Sequence, residues 1–272
     1  MRLCVIGGKG ELPKKVIAKA DADGIYCSII GIAGQNDLDL DSRDFIELDI
    51  GKVGAALDFC NHHKISHAIF AGNIQRPSLS SIIPDKIGAK LLWQIGKEKL
   101  LGDNSVLKVI IKFFESQGIA IISPSDFLSQ NNLSPGNITT NTIPTSDDLE
   151  NIWIAANALN IISPLDIGQS LIIENKRIIA VEAAEGTDSM IIRSKEYIKE
   201  RAILVKMPKA GQDIRVDMPT IGQKTIENMH KSNIKGLAIA QNVILLNKDE
   251  VIEKAEKAEI FIHIVGRENE YQ

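Results

Sequence analysis

The sequence contains few aromatic residues and no dense run of charge of one sign. Aromatics make up 4% of its 272 residues, which argues against the stacking surfaces that bind single-stranded nucleic acid. The 31 Lys and Arg residues against 35 Asp and Glu residues leave a net charge of −4, so no nucleic-acid partner is expected. No apolar run approaches the roughly 20 residues that cross a bilayer, and the first ten residues do not resemble a secretory signal peptide. We therefore expect a soluble, cytoplasmic protein.

Cysteine is also scarce, and histidine is not arranged for nucleophilic catalysis. Cys4, Cys27 and Cys60 lie in or beside apolar runs, without the CxxC or Cys/His spacing of a metal site. These thiols are predicted to be reduced and buried. None of the five histidines suggests a catalytic triad, and no serine lies in a nucleophile elbow. Serine hydrolase chemistry is therefore disfavoured.

The length and the alternation of elements predict two α/β domains. Hydrophobic residues make up 44% and charged residues 24% of the chain, as in ordinary globular proteins. In the first half, apolar runs alternate with helical patterns, which predicts a Rossmann-like parallel sheet covered on both faces. The predicted strands cover residues 2–6, 26–32, 45–48, 68–71 and 119–122, and the predicted helices cover 12–22, 51–63 and 104–117.

A polar, uncharged stretch marks the boundary between the two halves. Residues 131–146 are predicted as a linker, which leaves an N-terminal domain of residues 1–130 and a C-terminal domain of residues 147–272. The second domain is predicted as mixed α/β, and its first helix follows Ser146 as N-cap. We expect the active site between the domains. The other predicted elements are a hairpin of strands 169–173 and 177–182, helices 187–200, 222–233 and 248–257, and strands 202–206, 236–240, 243–246 and 260–265.

Glycine-containing turns follow two strands of the first half. Gly8 and Gly10 follow the first strand, where backbone N–H groups at a helix N-terminus suit a phosphate; a tight turn is the equal alternative. Asn73 and Arg76 follow the fourth strand, at the edge where open α/β sheets bind ligands, with an ordinary Gly-Asn turn as the alternative. A dinucleotide site is not indicated, because the third glycine and the ribose-binding acid are missing.

Three carboxylates lie close together in the second half, in the segment VEAAEGTD. Glu182, Glu185 and Asp188 are oxygen ligands of the kind that Mg²⁺ uses beside substrate phosphates. Thr187 belongs either to this site or only to a helix N-cap. Because Ala and Gly surround these acids, we favour a functional turn over a set of surface acids.

A polar loop with charges of both signs follows, at residues 206–222. Lys206, Lys209 and Arg215 lie near Asp213 and Asp217. Strand alternation would place the two aspartates and Arg215 on one face. Such a face is either a solvated edge or a phosphate-and-metal site, and the flanking Gly and Pro residues favour the site. Metal-assisted phosphoryl chemistry is compatible with this loop.

Six distinctive segments follow one another along the chain, namely IGGKGELP (6–13), FAGNIQRPSLS (70–80), GDNSVL (102–107), LDIGQS (165–170), AVEAAEGTDSM (180–190) and VKMPKAGQDIRVDMPTIG (205–222). In this order they resemble the LpxI-type UDP-2,3-diacylglucosamine pyrophosphatases of lipid A biosynthesis. The combination of EGTD with GQDxRxDxPTIG is the specific part of the resemblance. Asn104 stands where relatives often carry a second acid after Asp103, and Ala210 and Met218 replace a frequent Pro and Leu.

The resemblance implies a two-domain enzyme that hydrolyses the pyrophosphate of a UDP-linked diacylated glucosamine. Its products would be UMP and 2,3-diacylglucosamine 1-phosphate (lipid X), with water attacking the β-phosphorus. The family needs a divalent cation, Mg²⁺ (or Mn²⁺). The resemblance also suggests a homodimer, and the lipid substrate implies peripheral contact with the cytoplasmic face of the inner membrane.

The resemblance and the motifs together assign the site residues. The family's essential acid falls on Asp217. Two other classes stay open: an oxidoreductase with a nucleotide cofactor, which would change NADH fluorescence, and a non-catalytic module that binds a UDP-sugar without turnover. The assignments are catalysis by Asp217, Asp188 and Arg215; substrate binding by Gly8, Gly10, Asn73, Arg76, Gln169, Thr187, Lys206 and Lys209; and metal binding by Asp217, Asp188 and Glu185.

Overall fold

The chain forms two α/β units in a computed structural model. One unit comprises Met1–Ser129 and Asp213–Asp217, and the other comprises Gln130–Gln212 and Met218–Gln272. In the part of the chain that is described, no helix is long and apolar enough to cross a membrane. The described residues are 1–38, 43–74, 82–98, 104–128, 133–165, 167–209, 215 and 218–266, with only the backbone given for 97–98 and 104–106.

The first unit is built on a five-stranded sheet in which every pair of neighbouring strands is parallel. The strand order is β3-β2-β1-β4-β5. The central strand is buried from its second residue onward, as expected for a parallel strand that is covered on both faces. The strands are β1 (Arg2–Gly7), β2 (Tyr26–Ile32), β3 (Phe45–Leu48), β4 (His67–Ala71) and β5 (Ala120–Ile121).

Helices cover both faces of this sheet because side chains alternate along β1. Leu3 and Val5 pack in the cluster that includes α1, whereas Cys4 and Ile6 pack in the cluster that includes α2 and α4. All three cysteines are free and buried, which confirms the prediction of core thiols. The helices of the unit are α1 (Glu11–Ala22), α2 (Val53–His62), α3 (Lys86–Glu98), α4 (Asn104–Ser116) and α5 (Pro124–Phe127).

The sequence patterns missed α3, and the structure shows how this helix is anchored. Asp85 precedes α3, and its Oδ1 accepts a hydrogen bond from the backbone N–H of Gly88 at 2.7 Å. Its Oδ2 accepts from the N–H groups of Gly54 at 2.7 Å and Ala55 at 3.1 Å, in the first turn of α2. One carboxylate therefore satisfies N–H groups that two helix starts would otherwise leave without partners.

The second unit contains a six-stranded mixed sheet, in the order β6-β13-β11-β9-β7-β8, and a parallel pair, β10-β12. Strands β9, β11 and β13 are parallel to one another, and β6 and β7 run antiparallel to their neighbours β13 and β9. The predicted hairpin is present as β7 and β8. The strands are β6 (Gly136–Asn137), β7 (Ser170–Glu174), β8 (Arg177–Val181), β9 (Ala202–Lys206), β10 (Thr220–Ile221), β11 (Ile234–Ala240), β12 (Ile244–Leu245) and β13 (Phe261–Val265).

The first helix of this unit starts one residue earlier than predicted. Thr145 is its N-cap, and Ser146, the predicted N-cap, is the first helical residue. Thr145 and Asp148 form a reciprocal capping box, which Ser146 cannot form with the same spacing. The helix predicted over residues 187–200 ends at Ser194. The helices are α6 (Ser146–Ile162), α7 (Thr187–Ser194), α8 (Gln223–Lys231) and α9 (Lys248–Lys257).

The polar stretch predicted as a linker, residues 131–146, contains the strand β6. This strand pairs with β13, and Thr139 Oγ1 accepts the N–H of Ile262 at 3.1 Å. Residues of this stretch therefore pack within the second unit.

The loop predicted at residues 206–222 is described in part. Arg215 lies in a turn, which corrects the strand predicted there from alternation. Asp213 and Asp217 lie outside the described residues.

Candidate active site

Several polar side chains of the second unit meet at one edge of its sheet. Lys206 ends β9 and is the register partner of Ser170, which starts the antiparallel strand β7. Glu182 directly follows β8, and its backbone N–H donates to the Ser170 carbonyl at 2.9 Å. Since β9, β11 and β13 all end at this edge, it is the carboxyl edge, where open α/β sheets bind ligands.

These side chains form a hydrogen-bonded cluster that is largely buried. The Lys206 ammonium donates to Thr187 Oγ1 at 2.9 Å and to the Thr220 carbonyl at 3.3 Å. The Thr187 hydroxyl donates to Glu182 Oε1 at 3.1 Å, and the Ser170 hydroxyl donates to Glu182 Oε2. Glu182 and Lys206 are 8% and 5% exposed. The Lys206 ammonium and the Glu182 carboxylate are thus both buried, and the Thr187 hydroxyl is hydrogen-bonded to each of them.

Thr187 and Asp188 are the first two residues of α7, whose N-terminus lies at this edge. Its N-cap is Gly186, whose positive φ of 81° suits glycine. Asp188 Oδ1 accepts from the Thr225 hydroxyl of α8 at 3.1 Å, and Asp188 Oδ2 lies 4.0 Å from Lys224 Nζ. The Asp188 side chain is 36% exposed, so part of this carboxylate is open to a ligand.

Gln169 lies next to the cluster, just before β7. Its carbonyl accepts the N–H of Met207 at 2.9 Å. Its side-chain Oε1 is buried and has no hydrogen-bond partner among the residues that the structure describes. Buried polar atoms are normally satisfied, so the Gln169 amide is a candidate for contact with a ligand.

Glu185, the third carboxylate of the predicted metal group, is held by an arginine. Its Oε1 accepts from Arg193 Nε at 2.9 Å and from Nη2 at 2.6 Å. The hydrogen bonds from Arg193 lower the pKa of Glu185. Arg193 also donates to the Val181 carbonyl at 2.9 Å, so this pair ties the turn after β8 to α7.

The described residues fit a magnesium ion only in part. They contain no group of three or more His, Cys, Asp and Glu side chains placed to hold a metal. Mg²⁺, however, usually takes one or two protein carboxylates and completes its shell with waters and substrate phosphates. Asp188 meets that requirement, because it is half-exposed and not taken by a close ion pair. Asp217 lies outside the described residues.

In the first unit, the two predicted turns lie against each other. The N–H of Lys9 donates to the Asn73 carbonyl at 3.2 Å, and the N–H of Asn73 donates to the Lys9 carbonyl at 2.8 Å. A methyl group on Gly8 would lie 2.3 Å from the Asn73 carbonyl oxygen. Gly8 therefore permits the close approach of the turns that follow β1 and β4, as a tight-turn device does.

The N-terminus of α1 already has an anionic partner. Gly10, with a φ of 117°, is the N-cap of α1, and its N–H donates to Asp37 Oδ1 at 3.1 Å. Lys14 Nζ lies 3.2 Å from Asp37 Oδ2. Desolvation raises the pKa of Asp37, but hydrogen bonds from Gly10 and Lys14 outweigh it and lower the pKa overall. Sequence reasoning missed Asp37, although it lies five residues after β2.

The remaining predicted residues are Arg215, Lys209 and Arg76. Arg215 belongs to the first unit, where its Nη1 lies 2.6 Å from Glu115 Oε1 of α4. Lys209 is half-buried, three residues beyond the end of β9. Arg76 lies outside the described residues. The structure thus brings Gln169, Thr187, Asp188 and Lys206 together in one unit and Gly8, Gly10 and Asn73 together in the other.

Three residues with side chains or carbonyls at this edge were not singled out from the sequence, namely Ser170, Thr220 and Thr225. Ser170 lies in the predicted LDIGQS segment and Thr220 lies in PTIG, so both were inside recognised blocks. Their roles depend on the pairing of β7 with β9 and on the position of α8. Neither is visible in local periodicity.

Comparisons with known proteins identify the family. The LpxI N-terminal domain model matches residues 2–131, and the LpxI C-terminal domain model matches residues 135–263. A protein of Caulobacter vibrioides named UDP-2,3-diacylglucosamine pyrophosphatase LpxI is 29% identical over 270 residues, which cover 96% of each chain. The resemblance seen in the sequence motifs is thereby confirmed, and the chain belongs to the LpxI family.

Proposed function

We propose that the protein hydrolyses the pyrophosphate bond of UDP-2,3-diacylglucosamine, the substrate in the name of its Caulobacter relative. A water oxygen forms a bond to the β-phosphorus while the bond from that phosphorus to the bridging oxygen breaks. The bridging oxygen leaves on the α-phosphate as UMP, and the sugar keeps the β-phosphate as lipid X. The water proton passes to a base or to solvent.

The observation that supports this proposal is the buried ammonium of Lys206 at the carboxyl edge of the sheet. It donates to Thr187, which precedes the half-exposed Asp188 in α7. Gln169, whose side-chain Oε1 has no partner among the described residues, precedes Ser170, the register partner of Lys206. A fixed positive charge of this kind favours the developing negative charge of a pyrophosphate transition state, since a preorganised charge needs no reorganisation. Lys209 and Arg215 are proposed to contribute further positive charge.

Magnesium dependence is part of the proposal. Asp217 and Asp188 are the proposed ligands, and Asp217 alternatively orients the attacking water. When bound, Mg²⁺ would offset the charge of the substrate phosphates. Glu185 was grouped with these ligands by sequence, but its hydrogen bonds to Arg193 favour a role in holding the turn.

The first unit is proposed to be a Rossmann-like domain that binds polar parts of the substrate through Gly8, Gly10, Asn73 and Arg76. Its strand order, β3-β2-β1-β4-β5, is the order found in mononucleotide-binding folds. That both units contact one substrate stays a prediction, as do the homodimer and the peripheral contact with a membrane through the lipid.

The decisive experiment measures UMP release from UDP-2,3-diacylglucosamine with Mg²⁺ and with EDTA. Wild type is expected to release UMP only with Mg²⁺, and Asp217→Ala is expected to fold but lose at least about a hundredfold in kcat. Asp249→Ala, an exposed aspartate in the first turn of α9, is the matched control. In H₂¹⁸O, attack at the β-phosphorus places the label in lipid X rather than in UMP.

Other outcomes would redirect the assignment. Tight binding of the UDP-sugar by folded wild type without UMP release would indicate a non-catalytic module. A change in NADH fluorescence on mixing would instead support a nucleotide-cofactor oxidoreductase. Undiminished turnover by Asp217→Ala would remove that residue from the mechanism.

A further inference from the structure

The cluster at the sheet edge contains two groups, Ser170 and Glu182, that are not among the assigned catalytic, substrate-binding and metal-binding residues. Ser170 is fully buried, and Glu182 is nearly so. Both oxygens of the Glu182 carboxylate accept hydrogen bonds, one from the Ser170 hydroxyl and one from the Thr187 hydroxyl. Burying a carboxylate costs free energy unless it is paired and hydrogen-bonded, so its presence here calls for a reason.

The number of available hydrogens limits the directions that the hydrogen bonds of the cluster can take. A hydroxyl has one hydrogen, and a carboxylate has none to give. The Ser170 hydrogen goes to Glu182 Oε2, so the Thr187 hydroxyl donates either to Glu182 Oε1 or to Ser170 Oγ, each 3.1 Å away. In both cases the Thr187 oxygen accepts from the Lys206 ammonium, 2.9 Å away. With this arrangement Thr187 has no hydrogen left to donate to a substrate phosphate.

We propose that Glu182 and Thr187 are positioning residues that act through Lys206, the carboxylate orienting the threonine hydroxyl and the hydroxyl holding the ammonium. This inference rests on the proposed function of Lys206 in pyrophosphate hydrolysis. It changes the assignment of Thr187, which the sequence motifs placed among the substrate-binding residues. Ser170 fixes the other oxygen of Glu182.

The physical need for such support follows from the lysine side chain. Its ammonium ends a flexible four-carbon stem and acts as a point charge, so its position must be set by acceptors. Thr187 Oγ1 and the Thr220 carbonyl accept from it on two sides. Glu182 adds negative charge behind the hydroxyl, which attracts the ammonium. Loss of this support is expected to lower kcat more than it raises KM.

The kinetic test is a double-mutant cycle on UMP release. Glu182→Gln and Thr187→Val are each expected to lower kcat about tenfold or more, with a change in KM below about threefold. Thr187→Ser, which keeps the hydroxyl, is expected to retain kcat within about threefold. In a Lys206→Met background, Glu182→Gln is expected to cost less than about twofold, because the group it positions is gone.

Glu174→Gln is the matched control. Glu174 is a buried carboxylate of the same strand pair, and it accepts the backbone N–H groups of Lys199 and Glu200 rather than any cluster side chain. Its effect on kcat is expected to be the same factor in both backgrounds. Equal losses from Glu182→Gln in wild type and in Lys206→Met would overturn the proposal.

A second readout does not depend on turnover. A buried lysine ammonium exchanges its protons slowly enough to give a ¹H–¹⁵N signal, and the Lys206 signal is identified by its absence in Lys206→Met. We expect this signal to shift or vanish in Glu182→Gln and Thr187→Val and to persist in Glu174→Gln. An unchanged Lys206 signal in the first two variants would refute the positioning role. Absence of UMP release by wild type would refute the proposed function instead.

Discussion

At the scale of single residues, two carboxylates of this protein each accept hydrogen bonds from several backbone N–H groups. Asp85 accepts from three backbone N–H groups on two helices. Glu174 accepts from the N–H groups of Lys199 and Glu200. Charge-assisted hydrogen bonds of this kind are stronger than neutral ones, so each acid fixes the relative position of segments distant in sequence.

Replacement of Asp85 is expected to weaken the first unit. Asp85→Ala removes the acceptor for the first turns of α2 and α3 and should cost about 1–3 kcal/mol in the free energy of unfolding. Urea denaturation, followed by circular dichroism, measures this loss. Asp58→Ala, an exposed residue of α2, is the control and should change stability by less than about 0.5 kcal/mol. Equal stability of the two variants would contradict the capping role.

The contribution of Asp85 also depends on pH. Desolvation raises its pKa, but backbone hydrogen bonds from Gly88, Ala55 and Gly54 outweigh desolvation and lower the pKa below its usual value. A lowered carboxyl pKa stabilises the folded state above the unfolded pKa, and this stabilisation is lost as pH falls through the folded pKa. The stability difference between wild type and Asp85→Asn should therefore shrink as pH falls below about 4. A difference that is constant from pH 7 to pH 2 would contradict this.

Substitutions of Asp188 and of Glu185 are expected to differ in their effect on the Mg²⁺ concentration that UMP release requires. Asp188→Asn should raise the Mg²⁺ concentration for half-maximal UMP release by about tenfold or more, because its half-exposed carboxylate is the proposed ligand. Glu185→Gln should change it by less than about twofold, because Arg193 already occupies that carboxylate. A magnesium titration of both variants decides between them, and the reverse order would assign the ligand to Glu185.

Sequence alone could predict part of the site but not its connections. Thr187, Asp188 and Lys206 could be singled out because they lie in distinctive segments with several polar residues. Ser170 lies opposite Lys206 because of the register between β7 and β9, although the two residues are 36 positions apart in the sequence. Such pairing follows from tertiary structure, which local patterns do not encode.

At the scale of elements, the turns after β1 and β4 form one backbone unit. Gly8 donates its N–H to the Ala71 carbonyl at 3.0 Å, and Lys9 and Asn73 exchange two hydrogen bonds. The absence of a side chain at Gly8 makes this contact possible. These bonds hold the residues proposed to meet the substrate in a fixed arrangement within the first unit.

A methyl group at Gly8 is expected to separate these turns. Gly8→Ala should lower stability by about 1–3 kcal/mol through overpacking and should raise KM more than it changes kcat. Gly96→Ala is the control, since a methyl there meets nothing within 4 Å in the last turn of α3; it should gain up to about 1 kcal/mol from helix propensity. Thermal unfolding of both variants measures the contrast. A neutral Gly8→Ala would show that the turns can move apart freely.

The prediction of helices and strands from the sequence succeeded where periodicity is strong. It failed where tertiary contacts determine whether a segment is helical. The apolar strands β1, β2 and β9 match their predicted ranges closely, because strands buried on both faces give continuous apolar runs. Helix α3 was missed: it contains Gly88 and Gly96, which weaken a helical pattern. Its start depends on Asp85, whose other contacts lie about 30 residues earlier.

At the scale of the whole molecule, the sheet of the second unit joins its first strand in sequence to its last. The strand β13 lies between β6 and β11, and it pairs with both. Its residues from Phe261 to Val265 are all buried. The sheet therefore depends on a strand near the C-terminus for its continuity.

Removal of β13 is expected to abolish folding of the second unit. A chain ending at residue 260 would leave the edge of β11 unpaired and β6 without a partner, and unpaired buried edges promote aggregation. A chain ending at residue 266 keeps β13 and is the control, which should refold as wild type does. Light scattering during refolding from urea measures the difference. A monomeric, folded product from the shorter chain would contradict this dependence.

The position of β13 also has a consequence for the order in which the protein is made. All five strands of the first sheet have been synthesised once residue 121 is reached, so that sheet can assemble while translation continues. The second sheet stays incomplete until residues 261–265 have left the ribosome, since one edge of β11 and the strand β6 pair with them. At the usual rate of about 5–20 residues per second, the sheet that contains the apolar strands β7, β9 and β11 lacks β13 for several seconds. During that interval the second half of the nascent chain is the part that most needs a chaperone.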